Sequence, residues 1–150
     1  MKASYNYREI SDRLSTSGSV IKDDLLRLYD DGYGAVINLL PDAHERAIKN
    51  EKEIVERQGL KYIHIPVDFS APKNEDYEQF KRALDDLALW KTHIHCAANW
   101  RVSAFYGVYA YEKSIWRAAQ AWEHIASLWT PSEYPAWFHF LRSKGVTEES

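Results

Sequence analysis

The strongest constraint on this chain is an alternation. An apolar run of strand length at residues 35–40 and strand segments at 60–65 and 92–95 are each followed by a stretch with helical periodicity. Strands separated by helices must pair in parallel, because a parallel neighbour is reached only through a crossover, and such crossovers are right-handed. The expected fold is therefore α/β, with a central, mainly parallel sheet and helices on both faces. In such sheets ligands bind beyond the carboxyl ends of the strands.

The punctuation supports this order. Residues 22–31 read as a short helix with Leu25, Leu26, Leu28 and Tyr29 turned inward, stopped by Gly32. The strand at 35–40 closes on Pro41. Residues 45–58 form a charged helix with a narrow stripe of Ala47, Ile48, Ile54 and Val55, ended by Gly59. Asn74 caps a helix running to about residue 89, with Glu75 and Asp76 in its first turn, where acids complement the dipole. Three helical segments follow at 103–116, 117–129 and 132–144. They are rich in Trp and Tyr, whose spacing (Trp122, Ile125, Trp129) fits helix packing better than a ligand cage, and Thr130-Pro131-Ser132-Glu133 marks a break with a capping hydroxyl.

At 150 residues one domain, spanning 1–150, is expected, able to bury about two-thirds of its unfolded surface. A net charge of −3 with both signs interspersed gives no electrostatic footprint for nucleic acid or an anionic membrane. The first residues lack the apolar core of a signal peptide, and no run reaches the roughly 20 residues that span a bilayer, so a cytoplasmic location is expected. The single cysteine permits neither an internal disulfide nor a thiolate zinc site. The six histidines, among them His44, His64, His93 and His95, show no ligand pairing on a helix, so no metal or cofactor is expected.

That cysteine sits where a nucleophile would. Ile94-His95-Cys96-Ala97-Ala98-Asn99-Trp100-Arg101-Val102-Ser103 places it at the end of a strand, before a turn that opens a helix. The turn's N–H groups and the arginine five residues on both favour a thiolate and both attract an oxyanion. Arginine suits the second task through its fixed fork of donors. The alternative is a buried cysteine acting as a small hydrophobe. Trp100 either walls a pocket or wedges the loop against the domain.

The His-Cys…Arg loop, together with Ile10-Ser11-Asp12-Arg13-Leu14-Ser15-Thr16-Ser17-Gly18, Gly34-Ala35-Val36-Ile37-Asn38-Leu39 and Tyr62-Ile63-His64-Ile65-Pro66-Val67-Asp68, resembles the dual-specificity phosphatases. It is most similar to the bacterial tyrosine-phosphatase-like family of beta-lactamase-hydrolase-like proteins, formerly a domain of unknown function, DUF442. The resemblance covers about Ile10 to Tyr111. Four residues separate Cys96 from Arg101, where most phosphatases have five, a short spacing shared by the bacterial family; the loop contains no glycine.

The resemblance implies a cysteine-dependent phosphatase acting through phosphocysteine without metal, on a phosphorylated protein or small phosphate ester, with phosphotyrosine or an aryl phosphate favoured. It assigns Cys96 as nucleophile, Arg101 as oxyanion holder and Ser103 as the hydroxyl that assists the leaving thiolate. Ala97, Ala98, Asn99 and Trp100 would line the phosphate cradle, with His95 ordering it. The proton donor is expected about thirty residues before the cysteine; Asp68 precedes it by twenty-eight, with Asp76 and Glu75 as runners-up. Ser17 and Asn38 stay outside the expected site, since a turn serine and a strand-end asparagine need no catalytic role. Two other readings remain: a rhodanese-like sulfurtransferase, which would not need Asp68, and a weakly catalytic phosphate-binding module.

Overall fold

Five four-residue strands build the sheet in the computed structural model, which describes residues 1–149. They are β1 (Arg8–Ser11), β2 (Leu14–Ser17), β3 (Ala35–Asn38), β4 (Lys61–His64) and β5 (Thr92–His95), in the spatial order β1-β2-β5-β3-β4. β2, β5, β3 and β4 pair in parallel, while β1 runs antiparallel to β2 with a bulge between Glu9 and Ser11. The expected mainly parallel sheet is thus present, extended by a hairpin that periodicity did not reveal.

The helices are α1 (Lys22–Leu25), α2 (Glu51–Glu56), α3 (Asn74–Asp86), α4 (Trp100–Glu112), α5 (Ala118–Ala126) and α6 (Pro135–Ser143), with a 3-10 turn at Pro131–Glu133. Several are shorter than expected. In the 22–31 segment only the first turn is helical; Leu25 and Leu28 are fully buried, but Leu26 and Tyr29 stand 53% and 68% exposed. The 45–58 segment begins its helix only at Glu51, because Asn50 adopts a left-handed φ of 63°. Asn74 does not cap α3: Lys73 holds the cap position, and the side-chain Oδ1 of Asn74 accepts a bond from Lys144 Nζ. Likewise no hydroxyl caps the 131–133 turn, and α6 starts at Pro135, where the missing N–H is no loss.

Period-2 alternation divides the sheet faces chemically. One face carries Ile37, Ile63 and Ile94 into the larger core, shared with α3 to α6. On the other, Ser15, His93, Val36 and Tyr62 stand in one row, and Ser17, His95, Asn38 and His64 in the next, under α1 and α2. α4 is buried nearly all round, as befits the central helix of its layer. Among the described residues no helix is long and apolar enough to cross a membrane.

Candidate active site

β5 is central in the sheet, and its carboxyl end delivers Cys96 to a loop that ends in α4. Cys96 is fully buried at the margin of the larger core, and its N–H donates to Ser17 O at 3.3 Å. The Ala97 carbonyl accepts from Ser19 N (2.9 Å) and Ser19 Oγ (3.1 Å), and the Ala98 carbonyl from Asn6 Nδ2 (3.0 Å). Because a trans peptide points N–H and C=O in opposite directions, the bond from Ala97 to Ser19 turns the Ala98 N–H away from that segment. The first-turn amides of Trp100, Arg101 and Val102 have no intrahelical acceptor. The loop therefore presents donors at a helix N-terminus, the arrangement that holds a phosphate.

The absence of glycine is resolved by Asn99. It takes the left-handed conformation itself (φ 67°, ψ 11°), which asparagine tolerates better than most residues. Its fully buried side chain donates to Asn6 O (2.9 Å) and Thr16 Oγ1 (3.1 Å). The glycine that matters lies opposite: a Cβ on Gly18 would come within 2.5 Å of Ala97 O and 2.6 Å of Ala98 Cα, both backbone atoms of the loop. Gly18→Ala should destabilise the protein by about 1–3 kcal/mol, the usual range for overpacking. It should also weaken vanadate binding about tenfold as the loop is pushed outward, about 1.4 kcal/mol of binding free energy. Urea unfolding and vanadate titration check this; unchanged values in both would refute the close approach.

Arg101, in the first turn of α4, is 8% exposed; its Nε donates to Val67 O at 2.9 Å, and its guanidinium carbon lies 5.2 Å over the Phe69 ring. That anchor leaves the two terminal NH2 groups of the fork for an oxyanion. It also joins the cysteine loop to the segment after β4 that carries Asp68. Asp68 itself is exposed, and its Oδ1 accepts from Ser70 Oγ (2.8 Å) and Ser70 N (2.9 Å). Those two bonds, aided by Arg101, hold the carboxyl below its usual range. Asp76 lies on α3, where partial burial pushes its carboxyl up, and Glu75 is exposed beside it.

Trp100 is half-buried against the aromatic cluster. Its indole stacks on Trp129 at 5.3 Å with planes 5° apart. The Ser103 hydroxyl donates to Trp100 O (3.1 Å) and accepts from Trp129 Nε1 (3.0 Å), so it is engaged with these neighbours. His95 points to the opposite face from the core, where its Nε2 donates to Glu51 Oε2 at 2.6 Å, both side chains being 3% exposed. Glu51, unsuspected in the sequence, also lies 3.5 Å from Asn38 Nδ2. Asn38 braces the end of β3 through a bond from Leu40 N to its Oδ1 (2.9 Å).

Ser17 belongs to a buried chain of bonds. Its hydroxyl proton goes to Gly18 O (2.8 Å), so it accepts from His93 Nε2 (2.8 Å). His93 Nδ1 must then accept from Ser15 Oγ (2.7 Å), which in turn accepts from Tyr33 OH (2.7 Å). Burial holds the His93 imidazole well below its ordinary value and pushes Tyr33 up to about 12. Burial likewise lowers His124 to about 4. Unfolding lets both histidines protonate near pH 6.5, so their neutral burial opposes folding only below that pH. Stability should be flat above about pH 7 and fall below about pH 6.5, by up to ~1.4 kcal/mol per pH unit for each histidine. Urea midpoints at about pH 7.5 and pH 5.5 test this; equal values contradict it.

Among the described residues, no group of three or more His, Cys, Asp or Glu side chains is placed to hold a metal ion. No protein-family model and no curated protein matches the chain. Solved structures do. A proposed phosphatase (DUF442) from Shewanella putrefaciens CN-32 is 30% identical, with a TM-score of 0.84 over 95% of this chain and 90% of that one. Tk-PTP in its active form is 19% identical, with a TM-score of 0.75 over 93% of this chain and 95% of its own. TpbA of P. aeruginosa is 14% identical, with a TM-score of 0.73 over 93% and 84%. At those lower identities the last two speak to the fold alone.

Proposed function

The chain belongs to the DUF442 family, and from that membership we propose that it is a cysteine-dependent phosphatase hydrolysing phosphate monoesters, aryl phosphates and phosphotyrosine foremost, through a phosphocysteine. A phosphate dianion repels nucleophiles and its alkoxide leaves poorly, so both difficulties must be met. The Arg101 fork and the amides of the loop and first helical turn would neutralise the equatorial oxygens in a fixed array. The Cys96 thiolate would attack phosphorus in line, breaking the ester bond while Asp68 gives its proton to the leaving oxygen. Asp68, now a carboxylate, would take a proton from the water that cleaves the phosphocysteine, releasing phosphate and regenerating the thiolate. His95, held by Glu51, orders the base of the loop; Ser103 lies in the first turn of α4, where its hydroxyl would have to exchange its bond to Trp100 O to assist the departing sulfur.

The observation that carries this reading is the Arg101 Nε–Val67 O bond, which ties the cysteine loop to the segment presenting Asp68. The test is hydrolysis of aryl phosphates by the purified protein in chelator and reductant. Activity should resist EDTA and vanish with vanadate. Protonated Asp68 is the working form, and Ser70 holds that carboxyl low, so turnover of poor leaving groups should peak at acid pH and fall as pH rises. In Asp68→Asn that limb should flatten and turnover of poor leaving groups should drop by about 10²-fold. Sulfur transfer from thiosulfate to cyanide, without phosphate hydrolysis, would instead identify a sulfurtransferase; vanadate binding with neither activity would identify a binding module.

A further inference from the structure

Residues 66–71 leave the sheet yet are held at every step. Ile65 N donates to Asn38 O (2.9 Å) and Val67 N to Leu39 O (3.0 Å), so the backbone runs on beside the end of β3. Val67 O is taken by Arg101. Beyond Asp68 the chain turns, with Ala71 N donating to Asp68 O at 3.1 Å. Between these points Phe69 is fixed twice. Its ring centroid lies 5.2–5.9 Å from those of Trp100, Trp129, Tyr134 and Trp137. Its carbonyl accepts a bond of 2.7 Å from Trp137 Nε1.

Trp137 is fully buried on α6, sixty-eight residues from Phe69, and the indole N–H is a donor that needs a buried partner. A buried tryptophan needs no catalytic explanation for its ring. The choice of partner is more informative: it is the backbone oxygen of the residue next to the candidate proton donor. We propose that Trp137 is a positioning residue for the phosphatase reading above, holding the Asp68 segment in its working place before any substrate arrives. The C-terminal helix α6 is then part of the machinery, and the acid segment is a fixed wall and not a lid. Its chemistry follows: a displaced acid still leaves Cys96 and Arg101 able to react, so the loss must grow as the leaving group becomes more dependent on a proton.

The inference rests on that phosphatase reading, and the experiment separates the two. Trp137→Phe in the full chain keeps an aromatic ring in the core while removing the N–H and part of the indole's bulk. With p-nitrophenyl phosphate kcat should fall two- to threefold, and with phenyl phosphate or phosphotyrosine about tenfold, a part of the 10²–10⁴ that a general acid contributes. KM should be unchanged, and combining Trp137→Phe with Asp68→Asn should add nothing, since both act through one proton. Equal losses for every leaving group, or additive losses in the double variant, overturn the proposal while leaving the phosphatase reading intact. A wild-type protein that hydrolyses none of these esters overturns both. Should Trp137→Phe fail to fold, amide exchange of residues 67–71 in the wild type decides: protection already present without vanadate is the expected result, and protection appearing only with vanadate refutes a fixed segment.

Discussion

Cys96→Ser should leave a folded protein that hydrolyses aryl phosphates about 10⁵-fold more slowly, the scale on which removing a nucleophile acts. Serine keeps the shape but not the chemistry: its hydroxyl is almost wholly protonated at neutral pH, and the loop offers dipoles and a cation but no base to activate it. The variant should still bind vanadate or phosphate, because the Arg101 fork and the loop amides remain. This result separates the two meanings of a fully buried cysteine. A cysteine that merely fills space would lose a little stability on replacement and no activity. Rates with phenyl phosphate, circular dichroism and phosphate titration together decide, and a variant retaining even one-tenth of wild-type turnover would sink the thiolate mechanism.

Arg101→Lys should lower kcat/KM by about 10³-fold, in the range seen when a transition-state donor or arginine finger is lost. The substitution preserves charge, so a larger effect than screening of one cation is diagnostic of geometry. In the proposed mechanism arginine does two jobs at once. Nε holds Val67 O, which leaves the remaining fork for the proposed oxyanion; an ammonium cannot satisfy that carbonyl and two phosphate oxygens in one plane. Vanadate affinity should fall in parallel, and the optimum for poor leaving groups should broaden as the Asp68 segment loses its tie to α4. Retention of wild-type kcat/KM in Arg101→Lys would mean that the guanidinium serves only the fold.

Much of this was legible because β3 lies in a short apolar run closed by Pro41, because helical stretches separate β3, β4 and β5, and because Cys96 and Arg101 flank a strand-to-helix transition. Other parts were hidden for physical reasons. The β1–β2 hairpin is polar, since Ser15 and Ser17 face inward to satisfy His93, so alternation could not expose it. Glu51 sits in the run Lys49-Asn50-Glu51-Lys52-Glu53, where a buried carboxylate looks like its solvated neighbours; only Asn50, prone to left-handed backbone, hinted that the helix starts there. Asn99 carried a similar hint, as the residue best able to replace the missing glycine. The bond from Trp137 to Phe69 joins segments far apart in sequence, and nothing local encodes it. The aromatic residues of the C-terminal third read correctly as packing, with Trp137 fully buried and Trp129 only 6% exposed.

The shape of the cysteine loop is stored in cross-strand tethers, from Asn6, Ser19 and Thr16, and not in glycine freedom. In thermodynamic terms, the conformational entropy of the loop is surrendered when the chain folds, not when an anion arrives. Capture of a small oxyanion should therefore carry little ordering penalty, and its affinity should be set by how much hydration the anion gives up on entry.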